Sequence, residues 1–72
     1  MDEKLGKRIA ALRRKRGWTQ EKLAQQLGVS AAAVSKWETG AAYPDIALLC
    51  PLARALGSSV DSLLAFEEKM SA

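Results

Sequence analysis

Five punctuation points divide this chain, and their spacing constrains its fold more than any other feature. Gly17, Gly28, Gly40, Pro44 and Gly57 break the sequence into stretches of roughly one to four helical turns. Between them lie short stretches with helical periodicity. No alternating period-2 run occurs, and β-branched residues are few. The spacing therefore predicts an all-α chain of five short helices. Helices this short do not stand alone in water, so they must pack around one shared core.

The first stretch sets Leu5, Ile9 and Leu12 at i, i+4 and i+7, one apolar stripe on a helix of about residues 3–16. Arg13, Arg14, Lys15 and Arg16 fill its last turn, where cations complement the helix dipole, and Gly17 suits a left-handed stop. Thr19 is the expected cap of the second helix, with Trp18 and Leu23 as a hydrophobic staple and Leu23, Ala24 and Leu27 inward. Ser30 repeats the pattern with Val29 and Val34 as staple and Val34 and Trp37 inward, and Gly40 stops that helix. Asp45 is the expected cap of a fourth helix through Leu56. Pro51 inside it predicts a kink or a tightened first turn. Ser59 caps a fifth helix with Val60, Leu63 and Leu64 inward.

With 72 residues there is room for a single domain, with a packed part of about residues 5–65. Residues 66–72 are expected to form a dimer contact or a frayed tail. A core this small supplies about 3–5 kcal/mol, which a second copy would supplement. The chain has no histidine and one cysteine, Cys50. That excludes His-based nucleophile systems, His-ligated metal sites, zinc sites built from four cysteines, and internal disulfides. No catalytic residue, metal site or cofactor is expected. Glu21 with Glu38, or Asp45 with Asp61, could be paired as acid and base, but caps and an ion pair account for them better. No apolar run is long enough to span a bilayer, and the N-terminus lacks a signal-peptide pattern, so a soluble cytoplasmic protein is expected.

Charge is distributed unevenly. Residues 1–22 carry eight cations against three anions, a net of +5, while residues 23–44 balance and residues 45–72 carry a net of −2. A basic half opposite an acidic half suits a polyanion at one face.

Residues 19–40 carry the functional signal. Two short helices joined by Gly28 and Val29 must cross steeply. Close crossing needs small residues, and the spacing Ala24-x3-Gly28-x5-Val34 provides them, a mechanical signature of helix-turn-helix. The string TQEKLAQQLGVSAAAVSKWETG, followed by YPD and LARALG-x-SVDSLL, resembles the Cro/lambda-repressor-like (Xre) family of helix-turn-helix domains. The similarity runs from about Leu5 to Leu64.

The resemblance implies that the third helix, residues 30–39, enters the major groove of double-stranded DNA. Ala31, Ala32, Ser35 and Lys36 would then face base edges. Lys36 would donate to guanine, and the alanine methyls would meet thymine where relatives often carry Gln, Arg or Ser. Thr19, Gln20, Ser30 and Tyr43 are the expected phosphate ligands. Arg13 and Glu38 are expected to pair beneath the helices as a structural ion pair. A two-fold pair of copies would read half-sites about 34 Å apart, with Leu63, Phe66 and Met70 as the expected dimer contact. The function so implied is a homodimeric transcriptional repressor. The alternative is a protein-interaction or antitoxin-type module with this fold, weak DNA binding and a separate protein partner. The alanines at 31, 32, 41 and 42 motivate it.

Overall fold

The computed structural model describes residues 3–64, with side chains from Leu5 to Leu64. Those residues form five helices: α1 (Glu3–Lys15), α2 (Gln20–Leu27), α3 (Ala31–Thr39), α4 (Ile46–Ala55) and α5 (Val60–Leu64). No strand occurs among the described residues.

The helix ends follow the chemistry of their cap residues. The Thr19 hydroxyl accepts from the Lys22 amide at 3.0 Å, the Ser30 hydroxyl from Ala33 at 3.1 Å, and the Ser59 hydroxyl from Ser62 at 3.0 Å. Four helices stop through one device. The amide of Trp18, Val29, Ala41 or Ser58 donates back across the final turn to the carbonyl of Arg13, Ala24, Lys36 or Ala53. Such a reversal passes through a left-handed residue. Gly28 and Gly40 supply it at φ 70° and 83°, where a side chain would be strained.

Asp45 departs from its expected role. It occupies the cap position of α4, but its side chain makes no capping hydrogen bond. The first turn is closed by backbone instead, with the Leu48 amide donating to the Asp45 carbonyl at 2.8 Å. α4 then runs through Pro51, whose missing N–H leaves the Ala47 carbonyl without its helical donor on an exposed face.

The core is one cluster. Leu5 and Ile9 come from α1, Leu23 and Ala24 from α2, Val34 and Trp37 from α3, Leu52, Ala53 and Leu56 from α4 and its end, and Leu63 from α5. Ile9, Leu23, Val34, Leu52 and Leu63 are fully buried. Each such side chain contributes about 1.5–3 kcal/mol against exposure. α3 packs on α1 on one side and on α2 on the other, which leaves its third side to solvent.

Leu63 is therefore not available as the expected dimer contact, because the chain's own core covers it completely. Its partners in that expectation, Phe66 and Met70, lie outside the described residues.

Candidate nucleic-acid interface

The outward side of α3 is set by helical spacing. Val34 and Trp37 point into the core, so residues two positions away point out. Ala32, Lys36 and Thr39 are exposed, and Ser35 is half-buried. Ala31, at the start of the helix, is half-buried and packs against the core cluster. One methyl, one hydroxyl and one ammonium, from Ala32, Ser35 and Lys36, thus share the open face. Thr39 at its end turns its hydroxyl inward, donating to the Lys36 carbonyl at 3.2 Å.

Beneath this face lies a charged joint. Arg13 and Glu38 pair as expected: Arg13 Nε donates to Glu38 Oε2 at 2.7 Å and Nη2 to Oε1 at 3.0 Å, with side chains only 11% and 6% exposed. The third guanidinium nitrogen, Nη1, donates to the Trp18 carbonyl at 2.7 Å. Arg13 thereby ties α1, the turn before α2 and the end of α3 together. The planar fork suits this task because it meets a carboxylate in two parallel bonds.

Gln20 has a place that its residue type did not reveal. Its Nε2 donates to Glu38 Oε1 at 3.0 Å, so the first residue of α2 is fastened to the last turn of α3. Glu38 thus accepts from two side chains, and no buried side-chain polar atom among the described residues lacks a partner.

Burial pushes the Glu38 carboxyl upward, but the hydrogen bonds from Arg13 and Gln20 and the positive charge of Arg13 and Arg14 outweigh it. The net position lies below the ordinary glutamate value. Arg13 is raised by its bond to Glu38.

The remaining expected phosphate ligands lie at two helix starts and in the loop after α3. Thr19 and Ser30 are exposed at the starts of α2 and α3, each using an oxygen lone pair for its cap. Their O–H protons remain directed by rotation alone. Tyr43 lies beyond α3 and is 49% exposed.

Gly6 carries a structural weight that no expected site or core position includes. Gly6 is buried in α1, and a Cβ there would fall on the Trp37 carbonyl oxygen and within 2.8 Å of the Glu38 carbonyl oxygen. α1 and α3 meet there backbone to backbone. The available signal was a glycine inside a helical stripe, which costs about 1 kcal/mol and calls for a packing reason.

This arrangement of helices is shared with known proteins. The family model described as Helix-turn-helix matches residues 9–63. The chain belongs to the Cro/lambda-repressor-like (Xre) helix-turn-helix family. A relative in this family, the HTH-type transcriptional activator BcrR of Enterococcus faecalis, is 41% identical over 61 residues, which are 85% of this chain. The chain spans 30% of that relative's length. Among solved family structures, the P22 c2 repressor in complex with a synthetic operator matches with a TM-score of 0.79 at 39% identity. That match covers 82% of this chain and 89% of the other. SinR, a master regulator for biofilm formation solved in complex with DNA, matches with a TM-score of 0.77 at 31% identity, covering 83% and 97%. Among the described residues, no helix is long and apolar enough to cross a membrane.

Proposed function

We propose that this chain is a sequence-specific transcriptional regulator of the cytoplasm, not an enzyme, and that two copies repress by occupying operator DNA. The observation that carries this reading is the open face of α3, held at a fixed angle by the Arg13–Glu38–Gln20 joint. The major groove is about 12 Å wide and admits one helix. Lys36 is exposed near the middle of the face and donates to guanine O6 or N7. Ala32 offers its methyl to thymine, and Ser35 serves either base edge. Thr19 and Ser30 turn their O–H groups to phosphate oxygens, and Tyr43 adds its hydroxyl. Gln20 has a second Nε2 hydrogen for a phosphate while the first stays on Glu38.

Related proteins support the reading, since P22 c2 repressor and SinR were both solved on DNA. The test is selection of bound sequences from random duplexes, with Lys36→Ala beside the unaltered chain. An inverted repeat is expected, and in the variant one base position per half-site should relax, a loss of roughly 1–3 kcal/mol of discrimination. Identical enriched sequences from both proteins would remove Lys36 from base reading. No enrichment at low salt, with recovery of a stoichiometric protein partner, would replace the reading by the interaction-module alternative.

A further inference from the structure

We propose that the outer face of α4 is where two copies of this chain meet, antiparallel across a two-fold axis beside Cys50. This rests on the reading that the chain works as a pair, and it replaces Leu63 as the place of contact.

α4 carries an apolar stripe that the core does not use. Ile46, Ala47, Cys50 and Pro51 are all exposed, at positions i, i+1, i+4 and i+5, so they share one side of the helix. Ile46 is 83% exposed, the larger exposure of the two large apolar side chains that the described fold leaves in water. Between Asp45 and Arg54 the helix has no charged residue at all.

The charges at the stripe's two ends point to what covers it. Asp45 stands at the N-terminal end, with its carboxylate unused in capping, and Arg54 is exposed in the last turn. Neither forms an ion pair among the described residues. A two-fold axis through the middle of α4 runs the partner helix antiparallel. It then sets Asp45 of each copy beside Arg54 of the other, twice over. At 1.5 Å per residue the two ends lie about 13 Å apart, so the pairs flank the apolar stripe as a rim. A surface that faces its own copy must be complementary to itself, and an acid at one end with a base at the other meets that demand. The small side chains of Ala47 and Cys50 let the helices approach closely.

The stripe is one short helix face, smaller than the ~800 Å² per partner of a standard stable interface. Association is therefore weak in free solution and strengthens when a duplex with two half-sites holds both copies.

Cys50, the chain's one cysteine, reports the geometry, since it lies beside the proposed axis. The full chain is treated with a short bismaleimide, free and on an inverted-repeat duplex, with Cys50→Ser as control. Rapid covalent pairing on the duplex is expected. Ile46→Glu, which puts a charge into the apolar stripe, should lower its yield roughly tenfold, and Arg54→Asp, which sets acid against acid at the rim, should lower it by a factor of about 2–5. The double reversal Asp45→Arg with Arg54→Asp should restore it. These positions are exposed, and thermal melting by circular dichroism checks that each variant folds. If two copies occupy the duplex but Cys50 does not cross-link, or the yield ignores Ile46→Glu, the α4 interface is overturned while the pair stands. If sedimentation finds one copy on the inverted repeat, the pair itself falls and this interface with it.

Discussion

At Glu38 three influences compete, and their balance sets a pH dependence. Burial favours the neutral acid, whereas donation from Arg13 and Gln20 and the nearby positive charge favour the carboxylate, and the second group prevails. The folded-state value therefore lies below the unfolded one, about 4.3. A carboxyl lowered by folding contributes stability that is present above the unfolded value and is lost as pH falls through the folded value. Urea unfolding at a series of pH values should show stability falling below about pH 4.3. In Glu38→Gln that fall should be shallower, and equal falls in both proteins would remove Glu38 as a cause. Gly6 offers a second residue-scale prediction, of unusual sign. At an exposed helix position Gly→Ala stabilises by about 1 kcal/mol. Here the added methyl would strike backbone oxygens that cannot swing aside. Gly6→Ala should therefore destabilise, by about 1–3 kcal/mol from overpacking. A variant more resistant to urea than the parent would show that α1 and α3 can separate freely.

At the scale of elements, the caps divide structural from functional effects. Ser30 and Ser59 each accept one amide at nearly equal distance, 3.1 and 3.0 Å. Replacing either by alanine should cost about 1 kcal/mol and lower Tm by roughly 4–8 °C. Only Ser30→Ala should also weaken DNA binding, because only Ser30 borders the open face of α3; equal affinity loss in both would reduce the effect to helix stability. The same local chemistry explains why so much of the fold was legible in the sequence. Caps, staples and left-handed glycines act between near neighbours along the chain, so α1, α2, α3 and α5 follow from short-range patterns. Asp45 misled because its residue type suits a cap, yet the carbonyl of its own backbone closed the turn. Leu63 misled because an apolar flank looks the same whether a partner copy or α1 and α4 cover it. Gln20 and Gly6 were opaque for a related reason. Their roles depend on Glu38 and Trp37, far along the chain, and no local pattern encodes such meetings. The Arg13–Glu38 pair, 25 residues apart, was legible only through the family resemblance.

At the scale of the whole molecule, charge governs how the chain would find its partner. The sequence carries a net +5 over residues 1–22 and −2 over residues 45–72, and the whole chain is a cation of net +3. Binding of two copies to duplex should weaken with salt on a log–log slope steeper than about −2, or more than one phosphate neutralised per copy at about −0.9 each. Fluorescence anisotropy between low and moderate salt measures this. A flat response would point to an uncharged docking mode and to a protein partner instead.

The backbone meeting at Gly6 divides the labour along α3. Its inner wall is seated against α1 by atoms that every amino acid possesses, while Ala32 and Lys36 on the outer wall stand exposed. If this face reads DNA as proposed, changes at Ala32, Ser35 and Lys36 would redirect the molecule to a different set of base pairs without renegotiating its architecture. A lineage built on this chassis could acquire new targets by single substitutions, each paid for in recognition alone.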